Sequence, residues 1–176
     1  MRSEYVNYGD LQHLFAVLMP ANALVLRVAL ETGLRIGDVL AIRTEQLRSQ
    51  RMTVRESKTG KSRRIYISRP LLEALRRSAG RYYVFEGRND PHKHRTRQAV
   101  YNDLRRAAAA FRLPQHVSPH SLRKLYAVTL LEETGDMELV QRALNHDRIT
   151  TTLIYALSDR LDLLQPQRKR AKPPRP

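Results

Sequence analysis

The chain has 176 residues, with 32 Lys and Arg against 17 Asp and Glu, and therefore a net charge of +15. This length suits one domain with tails, and a hydrophobic content of 41% is enough to bury a core. A charge of this sign and size predicts a polyanionic partner, first nucleic acid and second an acidic membrane surface. The chain has no cysteine, which excludes disulfides and thiolate metal sites.

Nothing in the sequence indicates a membrane-spanning or secreted protein. No apolar run reaches the roughly 18 to 20 residues that a bilayer-spanning helix needs. Residues Met1 to Tyr5 lack the apolar stretch of a secretory signal. We therefore expect a soluble, intracellular protein with no membrane partner.

Helical spacing of apolar residues dominates the N-terminal part of the chain. Asp10 is predicted to cap a first helix that ends at Pro20. A second, buried helix is predicted over residues 22–32, with Gly33 in the left-handed position that follows many helices. A short third helix is expected over residues 36–42.

A β-hairpin with a basic tip is predicted next. Residues 52–57 and 64–67 alternate apolar and polar side chains, and Lys58-Thr-Gly-Lys61 lies between them. Three elements are expected after the hairpin: a helix over 70–78, a short strand or buried loop over 82–85, and a polar loop over 87–95.

The C-terminal part is predicted to be helical up to a proline-rich tail. Helices are expected over 96–111, from 118 to about 133, from 136 onward and over 150–156. Residues 165–176 are basic and proline-rich without core residues, so disorder is expected there. We therefore predict one domain over residues 1–164, with a mainly α fold and a small antiparallel β-sheet (α+β).

Several residues suited to phosphate chemistry are spread over this predicted fold: Arg35, Asp38, Lys58, His120, Arg123, His146 and Tyr155. Each also has an ordinary structural interpretation. Arg35 and Asp38 have the spacing of a surface ion pair, and His120 lies where a helix is capped. Tyrosines such as Tyr155 are most often half-buried. The order of these residues along the chain is more informative than any one of them.

That order resembles the tyrosine recombinase (phage integrase) family. The motifs are Gly33-Leu-Arg35-x-x-Asp38, the lysine-tipped hairpin, His120-x-Leu-Arg123, Leu144-Asn145-His146 and a downstream Tyr155. The resemblance covers residues 11–164 and implies the fold of the family's catalytic domain. It also implies a site-specific recombinase, of the integrase or invertase type, that cuts and rejoins DNA. The localisation that the resemblance implies is the cytoplasm of a bacterium or of a phage-infected cell, in association with the nucleoid.

The resemblance implies that these residues surround one DNA phosphate. By this resemblance, Tyr155 is the nucleophile that forms a 3′-phosphotyrosine, and His120 takes or positions its proton. Arg35 and Arg123 clamp the non-bridging oxygens, and His146 is a further donor to the phosphate. Lys58 is the acid that protonates the leaving oxygen, and Asp38 is a carboxylate that orients its neighbours.

Physical chemistry is consistent with this division of roles. A free tyrosine has a pKa of about 10, so only about one phenol in a thousand is ionised at pH 7. A guanidinium meets two phosphate oxygens and stays charged, and one preorganised donor contributes on the order of 100- to 1,000-fold in rate. The sequence has neither a carboxylate cluster for paired magnesium ions nor histidines at zinc spacing, so no metal or other cofactor is expected.

Some alternatives stay open. Asn145 stands where the family commonly has glycine, and Lys61 competes with Lys58 for the role of the hairpin lysine. The family commonly adds an N-terminal helical domain, so the chain is interpreted either as a naturally short, promoter-inverting recombinase or as a fragment. The alternative function is a non-catalytic DNA-binding regulator or accessory protein with the same fold. A nearer rival is a relaxing topoisomerase of the same chemistry.

Double-stranded DNA is the predicted partner. Basic residues are predicted to contact it outside the catalytic set: Lys61, Arg63, Arg64, Lys93, Arg95, Arg97 and Lys124. The resemblance further implies a homotetramer on paired DNA sites, with Leu161, Leu163 and Leu164 docking on a neighbouring protomer. Accessory DNA-bending proteins are further expected partners.

Overall fold

Seven α-helices and one two-stranded antiparallel sheet form the part of the chain that the computed structural model describes, residues 8–113 and 117–145. In chain order the elements are α1 (Tyr8–Val17), α2 (Pro20–Thr32), α3 (Ile36–Leu40), a 3₁₀ turn (Thr44–Gln46), β1 (Arg51–Arg55), β2 (Ser62–Tyr66), α4 (Arg69–Ser78), α5 (Arg97–Ala110), α6 (Pro119–Thr134) and α7 (Met137–Leu144). The mainly α fold with a small antiparallel sheet is thereby confirmed. The predicted helix over 150–156, the tail, His146 and Tyr155 lie outside the described residues.

The predicted helices are present with small shifts at their ends. The predicted cap at Asp10 is wrong: α1 begins at Tyr8, so Asp10 lies in its first turn, where a carboxylate still suits the helix dipole. Helix α2 begins at Pro20, because proline fits the first turn of a helix. Helix α3 ends at Leu40, two residues earlier than predicted.

The hairpin forms where it was predicted, with a register that pairs Val54 with Arg63. Met52 and Val54 of β1 point into the core, whereas Arg51, Thr53 and Arg55 point out. The segment 82–85, for which a strand or a buried loop was predicted, is a buried loop. An isolated bridge between Tyr83 and Arg43 is its link to a neighbouring segment.

Helix α2 is the central element of the core. Its buried side chains include Val25, Val28 and Ala29, and it packs against α3, α4, α5 and α6. Helix α7 packs in turn on α6, where Ala127 meets Val140 and Leu144 in a smaller apolar cluster. This arrangement brings the loop after α2, the first turns of α6 and the end of α7 to one place.

Gly33, at the end of α2, is required by both its backbone and its surroundings. Its φ is +64°, and a Cβ at this position would lie 2.4 Å from Tyr126 Cδ1. Gly135 has nearly the same φ of +65° but no atom within 4 Å of such a Cβ. Alanine substitutions at the two glycines therefore distinguish the free-energy cost of the backbone conformation from that of crowding.

We expect Gly33→Ala to lower the free energy of unfolding more than Gly135→Ala does. The left-handed conformation should cost roughly 1–2 kcal/mol in both variants, and displacement of the Tyr126 ring should add to it at Gly33 alone. Urea unfolding followed by circular dichroism measures both losses. Equal losses would contradict the crowding argument.

Candidate active site

Arg123 joins three parts of the site through backbone carbonyls. It lies on α6 with only 2% of its surface exposed. Its Nη1 donates a hydrogen bond to Gly33 O, and its Nη2 donates to Leu144 O at 2.6 Å. Arg123 thus fixes the loop that carries Arg35 to the end of α7, the helix that precedes His146 in the chain.

The end of α7 has the predicted left-handed cap. Asn145 has a φ of 52°, and its backbone N–H bonds to Arg142 O. Asparagine tolerates this conformation better than most residues other than glycine. The asparagine that replaces the family's common glycine is therefore compatible with the turn.

His120, one helical turn before Arg123, lies among positive charges. Desolvation by the surrounding protein lowers the pKa of His120 below its ordinary value, and the charges of Arg123, Lys124, Arg35 and Lys58 lower it further. These charges come from the α2–α3 loop, the hairpin tip and α6. A histidine with such a lowered pKa is neutral at pH 7 and can accept a proton.

Asp38 connects α3 to the hairpin. It is fully buried, and its Oδ1 accepts hydrogen bonds from both the backbone N and the Oγ of Ser57, each at 2.8 Å. Ser57 directly precedes Lys58. The carboxylate therefore positions the residue next to the hairpin lysine, and it is not the ion-pair partner of Arg35.

The partner of Arg35 is Glu56, a residue that the sequence interpretation missed. Glu56 is fully buried, and its Oε2 accepts a bond from Arg35 Nη1 at 2.6 Å and one from Thr59 Oγ1 at 3.2 Å. Burial by itself raises the pKa of Glu56, but the nearby Asn145 amide, the bonds from Arg35 and Thr59 and the Arg35 charge outweigh it. The net result is a pKa below the ordinary value, so the group is a carboxylate at neutral pH.

The alternation of β1 contains the signal that would have identified Glu56. Met52 and Val54 face the core, and the same two-residue period directs Glu56 inward. A glutamate is almost never fully buried unless it is paired. An inward glutamate two residues before the hairpin lysine therefore indicates a buried cationic partner.

The predicted DNA contacts fall into two groups. Exposed residues are Lys61, Arg64, Lys93 and Arg97, and partly buried residues are Arg63, Arg95 and Lys124. The Arg63 guanidinium lies inside the protein, where Nη2 donates to Thr32 O and Nη1 lies 3.8 Å from Glu56 Oε1. Burial lowers the pKa of Arg63, and the Glu56 charge partly offsets this. Arg95 Nη1 donates to Asn22 Oδ1 at 3.2 Å, so both arginines have contacts within the protein.

The described residues contain neither a metal-binding cluster nor a membrane-spanning helix. Over residues 8–113 and 117–145, no three His, Asp or Glu side chains form a group that could hold a metal ion. Within the same ranges, every helix is too short or too polar to cross a bilayer.

Known proteins resemble this chain in sequence. The profile of the phage integrase family matches residues 10–161. Tyrosine recombinase XerD of Mycobacterium tuberculosis is 32% identical over 149 residues, which are 77% of this chain and 47% of XerD. The integrase of Escherichia phage P2 is 28% identical over 152 residues, which are 86% of this chain and 42% of that integrase. The chain thus spans less than half the length of either relative.

Solved structures have the same fold. The catalytic domain of bacteriophage HP1 integrase superposes with a TM-score of 0.69 at 22% identity, covering 97% of this chain and 100% of that domain. A lambda integrase dimer bound to a COC′ core site gives a TM-score of 0.75 at 19% identity, covering 99% of this chain and 51% of that one. The fold is that of a tyrosine recombinase catalytic domain. The chain belongs to the phage integrase family.

Proposed function

We propose that the protein is a site-specific tyrosine recombinase that cleaves and rejoins double-stranded DNA through Tyr155. The observation that carries the proposal is the convergence of positive charges on His120. Arg123 bonds to Gly33 O in the loop that carries Arg35, and the charges of Arg35, Lys58 and Arg123, which are distant in sequence, all act on this one histidine. A phosphodiester is the ligand that matches such a set of donors and charges.

The arrangement suits a phosphate on the exposed side of Arg35. Its side chain keeps 26% exposure while one guanidinium nitrogen is held by Glu56. The buried Arg123 is fixed by two backbone carbonyls, so little reorganisation is needed when charge develops on the phosphate. His146 completes the clamp by its place in the family motif and lies outside the described residues.

The chemical step balances without a cofactor. The Tyr155 phenol oxygen attacks phosphorus, and its proton passes to neutral His120. The bond between phosphorus and the 5′ oxygen breaks, and Lys58 supplies the proton that makes the 5′ hydroxyl. Attack of a 5′ hydroxyl on the 3′-phosphotyrosine reverses these changes and rejoins DNA, so the energy of the broken bond is kept in the covalent link.

The proposed partners follow from the same function. Double-stranded DNA would lie over the exposed basic residues Lys61, Arg64, Lys93 and Arg97. Assembly as a homotetramer on paired sites, through the segment after Tyr155 and with accessory DNA-bending proteins, is part of the proposal.

The proposal is tested with a suicide substrate. We expect the 176-residue chain to form a denaturation-resistant adduct with nicked duplexes whose central segment is randomised, at low salt and with EDTA present. Sequencing of the trapped duplexes would identify the preferred site. DNA binding without any adduct would instead support the non-catalytic regulator, and an adduct that requires a divalent metal would contradict the proposed chemistry.

A further inference from the structure

Glu56 has more connections to the site than the pairing of one charge requires. It follows β1 at the base of the hairpin, and its backbone closes the tip: Glu56 N bonds to Lys61 O at 2.9 Å, and Gly60 N bonds to Glu56 O at 2.8 Å. Its side chain bonds to Thr59 within the tip and to Arg35 outside it. Glu56 therefore joins the α2–α3 loop, which carries Arg35, to the hairpin tip, which carries Lys58.

We propose that Glu56 is a positioning residue for strand cleavage, which holds the Arg35 guanidinium and the hairpin tip with Lys58 in one fixed relation. This inference rests on the proposed function of the site. Glu56 would touch neither DNA nor the reacting atoms, because it is fully buried beneath them. Its effect would pass through Arg35 and through the backbone that leads to Lys58.

The neighbours of the second Glu56 carboxylate oxygen indicate that Glu56 also lies against the end of α7. Glu56 Oε1 lies 3.8 Å from Arg63 Nη1, beyond the length of a hydrogen bond. Asn145, at the end of α7, also lies close enough to lower the pKa of Glu56. Glu56 Oε1 and Asn145 Nδ2 are both buried, and neither has a hydrogen-bond partner among the described residues. The Glu56 carboxylate thus lies between the hairpin, the α2–α3 loop that carries Arg35, and the end of α7.

A carboxylate in this position has opposing effects on binding and on rate. It cancels part of the positive charge that attracts DNA, so it weakens binding. It also fixes a guanidinium whose displacement by about 1 Å can cost on the order of 100-fold in rate. A positioning role therefore predicts that removal of the charge slows cleavage without weakening DNA binding.

The test uses Glu56→Gln, which keeps the shape of the side chain and removes its charge. The substrate is a duplex whose sequence was identified from the trapped adducts. On it we expect Glu56→Gln to slow single-turnover cleavage by about 10- to 100-fold, with DNA affinity unchanged or tighter. The matched control is Glu73→Gln, which makes the same change of charge at an exposed glutamate bonded to Arg69 at 3.1 Å. We expect Glu73→Gln to cleave at the wild-type rate.

A double-mutant cycle tests whether the effect passes through Arg35. In the Arg35→Ala background, Glu56→Gln should slow cleavage less than it does in the wild type, because the group that it positions is already gone. Fully additive effects would overturn the proposal. So would wild-type cleavage by Glu56→Gln.

Stability measured on the same samples separates positioning from loss of fold. The lowered pKa of Glu56 contributes stability above its unfolded pKa, and this contribution is lost as pH falls through the folded value. Glu56→Gln should therefore lose less stability than the wild type over that acid range. A rate loss that disappears once rates are scaled to the folded fraction would overturn the positioning role. Failure of the wild type to form any adduct would instead remove the proposed function.

Discussion

Tyr155→Phe is expected to abolish the covalent protein–DNA adduct while leaving DNA binding intact. Phenylalanine keeps the ring but lacks the phenol oxygen that is the proposed nucleophile. The measurement is a denaturing gel of the suicide-substrate reaction. Label on the 3′ side or the 5′ side of the cleaved bond identifies which end of the DNA stays with the protein. We expect the 3′ phosphate to be retained.

The matched control is Tyr126→Phe, because Tyr126 is a phenol near Arg123 of the clamp and near Arg63. Burial raises the pKa of Tyr126, although the charges of Arg63 and Arg123 oppose this rise. A raised pKa makes the phenolate rarer and the group a poorer nucleophile. Tyr126→Phe should therefore still form the adduct. An adduct in Tyr155→Phe that disappears in Tyr126→Phe would move the nucleophile to α6.

The sequence predicted the elements of the fold well because local rules determine them. Capping residues mark the start of α5 and α7: Thr96 and Asp136 each accept a bond from a backbone N–H three residues later. Alternation predicted both strands of the hairpin. The error at Asp10 is a shift of two residues at a helix end, where several residues can serve as the first turn.

The contacts within the site were less predictable, because residues distant in sequence make them. Local spacing allowed a pair between Arg35 and Asp38 as the ordinary alternative, but the fold places Glu56 against Arg35 and turns Asp38 toward Ser57. Arg63 reads as a surface cation in a basic segment, yet its guanidinium reaches Thr32 O inside the protein. Such pairings depend on how the hairpin packs against α2 and α3, which no local pattern specifies.

The hairpin lysine is the remaining choice that the sequence left open, and Lys58→Ala is expected to slow cleavage by on the order of 100- to 10,000-fold. Lys58 directly follows Ser57, which Asp38 holds, and its charge reaches His120. Lys61 lies on the far side of Gly60, a residue with a φ of +69°. The proton donor should be the lysine whose charge acts on His120.

A substrate with sulfur in place of the bridging 5′ oxygen distinguishes a proton donor from a phosphate contact. A thiol has a pKa near about 8.5 and departs readily as a thiolate, so it needs no proton. Lys58→Ala should therefore regain most of its rate on the sulfur substrate. Arg35→Ala should stay slow on both substrates, because the clamp acts on the non-bridging oxygens. Lys61→Ala should weaken DNA binding, and the sulfur substrate should not restore its cleavage rate. If the sulfur substrate does restore the rate of Lys61→Ala, Lys61 and not Lys58 is the proton donor.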